Sequence, residues 1–495
     1  MNIFKRALKK YNDIPIPAKA SIWFIFCTII QKCISLVTVP IFTRLMSTTQ
    51  YGQFTVYNSW LQIFTIITTL RLNWAVFNKG MSKYKNDRDA YTSTMQSLTF
   101  MITGVVFIVY LIFHKQINAF VELPTFIMVA LFAELFVSPA IDFWTIRKRY
   151  EYIYIPVIIR TLVMAVLNAG LGIAAVLLSE EKGYARIISC ILVNTCFGIS
   201  LFVYNRKKGK VWFKKEYAKY AILFNLPLLL HYLSQYVLEQ FDRIMIQKMV
   251  GIEEAGIYGV AYNAAMMMRI VTQNINNAFI PWQYEKLEKR ELTEMDNVLF
   301  VLYILVSGCA LVFSGFAPEI MYILAPKSYH EAIYVIPPVA LGLVFSFMYT
   351  TFANVELFYN QNKFTMYISM SGAILNIILN YFGIMMFGYI AAAYTTLICY
   401  FVFTASHYLY MTYSVKKALS VGHVFKTRRI IYLACSLLGV GIGMILFYDY
   451  VWIRVGIALV VGFIIILKRG KISEVLGMAK EGSRRNMALS DRELE

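Results

Sequence analysis

Residues 21–42 read SIWFIFCTIIQKCISLVTVPIF, an apolar run in which Lys32 is the single charged side chain. A helix of about 20 apolar residues spans the hydrocarbon core of a bilayer, which is roughly 30 Å thick. The run follows a basic N-terminal segment, but it is too long for the apolar region of a secretory signal and has no small-residue cleavage site after it. It therefore predicts a first transmembrane helix.

The composition of the whole chain indicates a membrane protein. Of 495 residues, 59% are hydrophobic and 15% are charged, which excludes an ordinary soluble globular protein. Unpaired backbone groups are costly in lipid, so long apolar segments must be helical. We predict an all-α polytopic fold with about 14 transmembrane helices at residues 21–42, 54–77, 92–113, 117–144, 153–178, 185–204, 218–248, 255–280, 298–316, 331–358, 364–387, 388–413, 430–447 and 451–467.

The basic residues predict the orientation of these spans. Lys and Arg total 47 against 28 Asp and Glu, a net charge of +19. Most of them fall in alternate connections that include both termini, so both ends are expected in the cytoplasm. The basic segments are scattered and carry no RNA-binding motif, so anionic membrane lipids, rather than nucleic acid, are the expected partner of this charge.

The sequence disfavours several classes of function. The sequence has no GxxxxGK[ST] motif, so ATP is not expected as the direct energy source. The outward connections are too short to fold a catalytic module, so we do not expect an enzyme. The seven cysteines lie in apolar runs without ligand spacing, so neither a disulfide framework nor a bound metal is predicted.

A weak internal repeat predicts two halves. Residues 51–58 (YGQFTVYN) and 255–263 (AGIYGVAYN) share a glycine, an aromatic residue and a Tyr-Asn pair, with one insertion. A duplicated six-helix unit would give two bundles related by a pseudo-two-fold axis. We predict an N-terminal bundle, a basic cytoplasmic linker, a C-terminal bundle, two extra helices and a cytoplasmic tail at residues 1–204, 205–217, 218–413, 414–467 and 468–495.

Polar residues inside the spans form stripes along single helix faces. The seventh span has spacings of i, i+4, i+8 and i+11, which fall on one side of a helix. An intramembrane charge costs at least about 2.5–3.5 kcal/mol on insertion scales, so such residues are functional candidates, and we expect a polar cavity between the halves. The stripes are His231, Gln235, Glu239 and Asp242 on the seventh span, Tyr262, Arg269, Gln273 and Asn276 on the eighth, and Thr28, Lys32 and Ser35 on the first.

The cations of these stripes predict an anionic substrate such as a phosphate or pyrophosphate, because a guanidinium binds two oxygens at once. The predicted substrate-binding residues are Lys32, Arg71, Arg243, Arg269 and Gln273. The titratable residues of the seventh span predict that transport is coupled to H⁺ or Na⁺. These ion-coupling residues are His231, Glu239 and Asp242.

Two alternatives stay open for these charges. They could neutralise one another between helices, for example Arg243 with Asp242 or Glu239. Others could extend from the cytoplasmic ends of their spans into the lipid headgroups, and these are Arg71, Arg160, Asp142 and Glu356.

Short motifs in a fixed order along the spans add a family resemblance. They are VPIFTRLMS at 39–47 followed by YG at 51–52, FDRIMI at 241–246 followed by GIY at 256–258, AIYVIP at 332–337, LNIILN at 375–380, and GYIAAA at 388–393 with TT at 395–396. Over residues 14–413 the chain resembles the polysaccharide transporter branch of the multidrug, oligosaccharidyl-lipid and polysaccharide exporter superfamily.

The resemblance implies a flippase for O-antigen, capsule or exopolysaccharide synthesis. Such a protein moves undecaprenyl-pyrophosphate-linked oligosaccharides across the bacterial inner membrane by alternating access, and the family is usually viewed as driven by ion gradients, without a cofactor. Other polysaccharide-assembly proteins could be partners. The motifs carry over Arg44, Asp242 and Arg243, and Arg44, at the outward end of the first span, is expected to serve gating or folding.

Three rival functions remain. A multidrug exporter of the same superfamily would share the fold but should favour an acidic pocket. A membrane polysaccharide polymerase or ligase should have a large external loop, which this chain lacks. A structural scaffold would not need polar stripes inside its spans.

Overall fold

The long apolar segments of the sequence are helices in the structure, a computed structural model that describes residues 16–359, 362–419, 425–467 and 470. The predicted all-α fold is confirmed. The first ten helices are α1 (Ile16–Leu45), α2 (Thr48–Thr69), α3 (Ala75–Lys83), α4 (Arg88–Ile112), α5 (His114–Val121), α6 (Thr125–Val137), α7 (Pro139–Tyr150), α8 (Ile155–Leu178), α9 (Lys182–Gly209) and α10 (Lys215–Met249). The remainder are α11 (Ile252–Ala265), α12 (Met268–Glu288), α13 (Leu292–Gly315), α14 (Ala317–Leu324), α15 (Ile336–Phe358), α16 (Asn362–Phe387), α17 (Ala391–Leu419), α18 (Thr427–Gly443) and α19 (Val451–Leu467).

These helices have the length and surface of membrane spans. In the described part of the chain, nine helical segments are long and apolar enough to cross a bilayer, and the bent helix α10 would make a tenth. Their outer faces expose large apolar side chains, such as Val105, Ile108 and Ile112 of α4, which would be unfavourable in water. The protein is therefore a multi-pass membrane protein, and the full number of 14 spans stays a prediction.

The second, fourth and eighth predicted spans are broken helices, and the fourth divides into α5, α6 and α7. The second is interrupted between α2 and α3, where Leu70 and Arg71 adopt left-handed backbone angles with φ of 47° and 53°. The eighth is interrupted between α11 and α12, where the backbone N–H of Met267 donates to the carbonyl of Ala264 at 3.1 Å. Both places were predicted as continuous spans, although Arg71 and Asn73 interrupt the apolar pattern at the first break.

The chain divides into two compact units, unit 1 (Met1–Tyr236) and unit 2 (Val237–Glu495). In unit 1, α9 is the central helix and packs against α2, α4, α6, α7 and α8. In unit 2, α15 takes that place, with most of its side chains buried and with α12, α13, α17 and α18 packed around it. The finer boundaries inferred from the sequence stay predictions.

Candidate ion and substrate sites

Asp242 lies at the centre of a buried polar network in unit 2. Its side chain is fully enclosed, with 0% exposure. The hydroxyl of Tyr258 donates to Oδ2 at 2.9 Å, the amide of Asn380 donates to Oδ1 at 2.7 Å, and the hydroxyl of Thr396 donates to Oδ2 at 3.2 Å. Three neutral donors thus hold the carboxylate, which satisfies a buried group that would otherwise be unstable.

A second layer of hydrogen bonds orients these donors. Asn380 also donates to Oδ1 of Asn376 at 3.2 Å and accepts from Thr395. Asn376 donates to Thr396 at 3.3 Å. Because Asn376 and Asn380 are four residues apart on α16, they face the same side of that helix. The sequence motifs that contain these residues therefore converge on Asp242.

Arg243, the next residue, points to different partners. It is 2% exposed. Nη1 donates to the Glu239 carbonyl and to Oε1 of Gln240, each at 2.8 Å, and Nη2 donates to Oδ1 of Asn263 at 3.2 Å. The guanidinium also stacks over Tyr262, 4.4 Å from the ring centroid. These contacts favour a positioning role, and the predicted substrate contact stays a prediction.

Glu239 and Arg269 form an accessible ion pair in unit 2. Nη1 of Arg269 lies 2.5 Å from Oε1 of Glu239, with the side chains 32% and 23% exposed. The rings of Tyr349 and Tyr400 lie nearby and stack on each other with their centroids 6.3 Å apart. Of the predicted cations, Arg269 thus combines solvent access with an aromatic surrounding, and its pairing with a carboxylate matches the neutralisation alternative.

Two other residues that were predicted to contact the substrate have exposed side chains. Gln273 lies one turn after Arg269 on α12, and its side chain is exposed. Lys32 is exposed on α1 in unit 1. Their roles stay predictions.

Arg71 lies in the break between α2 and α3. Its backbone N–H donates to the Thr69 hydroxyl at 3.2 Å, and its guanidinium lies 5.0 Å from the ring centroid of Trp74. The side-chain amide of Asn73 donates to Asp142 at 2.8 Å. The break therefore gathers a cation, an exposed indole and a carboxylate in unit 1.

Arg44 caps the helix on which it lies. Its Nη1 donates to the carbonyl of Pro40 at 3.0 Å, in the last turn of α1, where a cation stabilises the negative end of the helix dipole. Ser47 and Gln50 then form a reciprocal capping box that starts α2. This part of the family motif builds the turn between two helices, and the gating or folding role of Arg44 stays a prediction.

Two further candidates from the sequence are His231 and Glu356. The side chain of His231 lies outside the described part of the structure. Glu356 does not extend to a membrane surface, because it is fully buried and both of its oxygens lie 3.0 Å from Nδ1 of His407. The two residues are far apart in sequence, and no spacing pattern predicts their contact.

The sequence reasoning missed a second buried carboxylate, in unit 1. Glu134 of α6 is 3% exposed. Its oxygens accept from the hydroxyl of Tyr57 at 3.1 Å and from the amide of Asn194 at 2.9 Å. Its position inside the predicted span 117–144 is the signal that could have identified it.

Ion pairs at two of the connections between spans hold those connections in place. Glu319 of α14 accepts from Nη1 and Nη2 of Arg454 at 2.7 and 2.8 Å, and hydrogen bonds from that guanidinium lower the pKa of Glu319. At another connection, burial raises the pKa of Glu151, but the hydrogen bonds from Lys148 and Arg147 outweigh it, so that the net pKa is lowered. Among the described residues there is no cluster of three or more His, Cys, Asp or Glu that could hold a metal ion.

Comparison with known proteins identifies the family. The sequence profile of the family described as "Polysaccharide biosynthesis protein" matches residues 18–286, and the MatE profile matches residues 227–382. The chain is 22% identical over 352 residues to the Haemophilus influenzae protein "Lsg locus putative protein 1", covering 70% of this chain and 86% of that relative.

Solved structures share the fold. A structure of the lipid II flippase MurJ in an inward closed conformation superposes with a TM-score of 0.68 at 14% identity, covering 91% of this chain and all of that one. An inward-facing multidrug resistance MATE family transporter of the MOP superfamily gives a TM-score of 0.59, also at 14% identity, covering 81% of this chain and all of that one. Because the first profile matches more than half of the sequence, this chain belongs to the polysaccharide biosynthesis protein family, the polysaccharide transporter branch of the multidrug, oligosaccharidyl-lipid and polysaccharide exporter superfamily.

Proposed function

We propose that this protein is a flippase that carries undecaprenyl-pyrophosphate-linked oligosaccharides from the inner to the outer leaflet of the bacterial inner membrane, by ion-coupled alternating access, with both termini in the cytoplasm. Family membership supports a role in polysaccharide synthesis. The proposal rests on the Glu239–Arg269 ion pair, whose side chains are partly exposed. In this pair a substrate anion and a protein carboxylate compete for one guanidinium.

The pyrophosphate binds by displacing Glu239 from Arg269. A guanidinium presents parallel N–H groups that match two phosphate oxygens, so the exchange replaces the Glu239 contact with a two-point, charge-assisted contact. One turn after Arg269 on α12, the exposed amide of Gln273 can bond the hydroxyls of a sugar ring. The polyprenyl chain stays in the lipid, because its transfer into water would be unfavourable.

The coupling ion, H⁺ or Na⁺, binds at Asp242. The carboxylate oxygens and the hydroxyl oxygens of Tyr258 and Thr396 lie together at this position, and hard cations prefer oxygen ligands. Glu239 lies one turn before Asp242 on α10, and Arg243 binds the Glu239 carbonyl. A change of ion occupancy at Asp242 therefore acts on the backbone that presents the substrate-binding pair.

The test measures binding of inorganic pyrophosphate to the purified full-length protein. We expect Glu239→Gln to raise the affinity about tenfold, because it removes the competing carboxylate at a gain of about 1.4 kcal/mol. Arg269→Ala should abolish binding, and Arg269→Lys should keep the charge but lose the two-point contact. Lys207→Ala, which removes an exposed cation at the end of α9, controls for nonspecific attraction.

A flipping assay completes the test. Proteoliposomes with a lipid-linked oligosaccharide should transfer it in the wild type and in Lys207→Ala, but not in Arg269→Ala. In cells, deletion should leave lipid-linked repeat units on the cytoplasmic face. Unchanged flipping in Arg269→Ala would overturn the site, and absence of any flipping by the wild type would overturn the function.

A second candidate, a multidrug exporter, is favoured by the MatE match over residues 227–382. In that case Glu239 would bind a cationic drug and Arg269 would be its resting partner. Efflux of a cationic dye should then be lost in Glu239→Gln and persist in Arg269→Ala. The opposite pattern in the pyrophosphate assay separates the two functions.

A further inference from the structure

Unit 1 encloses a carboxyl group that the proposed transport steps do not use. Glu134 of α6 lies between α2 and α9, where Tyr57 donates to Oε2 at 3.1 Å and Asn194 donates to Oε1 at 2.9 Å. With 3% of the residue exposed, water has almost no access to it. In the described part of the chain, these two neutral groups are its hydrogen-bonding partners.

The titratable and charged groups of the helices packed around α6 have other partners or carry no positive charge. On α9, the titratable residue that lies near Glu134 and Tyr57 is Cys190. Arg186 lies two turns before Asn194, about 12 Å along the helix; its Nη1 donates to the Asn168 carbonyl at 2.8 Å, and its guanidinium lies 4.2 Å from the ring centroid of Phe42.

The other helices packed on α6 add no cation at this position: on α5, Lys115 is exposed and Nδ1 of His114 lies 3.1 Å from the Leu111 carbonyl. Tyr110 of α4 donates to Asn118 at 3.1 Å, and Asp142 of α7 accepts from Asn73 at 2.8 Å. From α2 the facing group is Tyr57 itself. Glu134 is therefore a buried carboxyl group with neutral donors and no ion-pair partner among the described residues.

Such a site stabilises a neutral acid better than an anion. Two neutral hydrogen bonds offset part of the cost of burying a carboxylate, but that cost remains several kcal/mol per ion in a real protein. The geometry accepts both forms without moving a heavy atom. In the neutral acid, Oε2–H donates to the Tyr57 oxygen, so that this one bond reverses, while Asn194 continues to donate to Oε1.

We propose that Glu134 is a proton-binding site of unit 1, occupied by a proton while α2 and α9 enclose it and emptied when that enclosure opens. The proton comes from water and returns to water as hydronium, and no bond between heavy atoms forms or breaks. The inference rests on the proposed function for the coupling role of this proton. The binding of the proton itself does not depend on that function.

Infrared difference spectroscopy of the purified full-length protein during a pH titration tests the binding. A neutral carboxyl group absorbs through its C=O stretch, well separated from an ionised carboxylate. We expect a carboxylic-acid band near neutral pH that is lost in Glu134→Gln and shifted in Tyr57→Phe, because the latter removes one hydrogen bond. The band should persist in Asp242→Asn, the matched change at the buried carboxylate of unit 2.

The outcome that overturns the inference is a spectrum without an acid band sensitive to Glu134→Gln at any pH at which the protein is folded. If Glu134→Gln does not fold, Asn194→Leu serves in its place, and an unshifted acid band in that variant and in Tyr57→Phe overturns the inference equally. The measurement uses no substrate, so it succeeds or fails separately from the flippase assay.

The coupling role has its own readout. Glu134→Gln fixes the neutral state, so flipping driven by an imposed proton gradient should fall by at least tenfold, while pyrophosphate binding at Arg269 stays at the wild-type level. Proton-driven flipping that is unchanged in this variant overturns the coupling role. Loss of pyrophosphate binding in Arg269→Ala, together with wild-type flipping, instead overturns the substrate site alone.

Discussion

Glu134 in unit 1 and Asp242 in unit 2 are both buried among neutral donors, and the two carboxyl groups differ in how completely they are held. Asp242 in unit 2 accepts three hydrogen bonds, and Asn376 and Thr395 orient one of its donors in turn. Glu134 in unit 1 accepts two. The denser network can stabilise a negative charge or complete the shell of a cation, whereas the sparser one suits a proton.

The broken spans show a similar contrast between the units. In unit 1 the break after α2 relies on another helix, because the side-chain amide of Asn225 in α10 donates to the carbonyl of Leu70. In unit 2 the break after α11 closes with its own backbone, since Arg269 N–H donates to the Met266 carbonyl at 3.1 Å. A break held by a distant side chain is more sensitive to one substitution than a break held by local turns.

The largest effect is expected from removing the two carboxyl groups. Asp242→Ala leaves three buried donors without an acceptor and should lower the free energy of unfolding by about 3 kcal/mol. Glu134→Ala leaves two and should lower it by about 2 kcal/mol. Unfolding of the purified protein in mixed micelles measures both changes, and Ser200→Ala, at an exposed position of α9, should leave the free energy unchanged. A larger loss for Glu134→Ala than for Asp242→Ala would contradict the comparison.

A smaller effect is expected at the breaks. Asn225→Leu keeps the branching and the number of heavy atoms of a 1% exposed side chain but leaves the Leu70 carbonyl without that donor. We expect a loss of about 1–2 kcal/mol in the free energy of unfolding. Thr272→Val is the matched change in unit 2, where the hydroxyl donates to the Arg269 carbonyl at 3.1 Å.

The Thr272→Val loss should be about 0.5 kcal/mol or less, since the backbone closes that break without the hydroxyl. Hydrogen exchange of the amides in each break would show which segment opens. Equal losses in the two variants would mean that the Asn225 contact does not hold the unit 1 break.

Sequence periodicity predicted the helices well because each span must bury its own backbone hydrogen bonds in lipid, which makes apolar length a strong signal. It placed Glu239 and Asp242 on one face of α10, as their spacing requires. It could not foresee that Glu239 would pair with Arg269 while Asp242 became fully enclosed. That difference depends on which neighbouring helices contact each turn.

The missed contacts have the same origin. Asn376 and Asn380 were visible as part of a motif, but their task of holding Asp242 depends on how α16 packs against α10. Glu356 and His407 meet because α15 and α17 pack along their lengths. Only a tertiary contact tells such a pair from two groups that extend toward the headgroups.

A further effect, which depends on pH, concerns an ion pair of unit 2 that is partly in water, in contrast to the two enclosed carboxyl groups. Glu319 has a side chain 39% exposed, whereas Arg454 is 2% exposed and also donates to the Gly315 carbonyl at 2.7 Å. The pKa of Glu319 is lowered in the folded protein by hydrogen bonds from Arg454. Its stabilisation is therefore complete above the ordinary glutamate pKa and is lost as the pH falls through the lowered value.

Glu319→Gln should consequently cost about 1 kcal/mol at neutral pH, a figure reduced for solvent screening. The difference from the wild type should shrink as the pH drops below about 5, because the wild-type carboxylate then takes up a proton. Thermal unfolding in detergent across this range measures the difference, with Glu288→Gln at the exposed end of α12 as the control. A difference that stays constant with pH would show that the partly exposed pair contributes through packing rather than through charge.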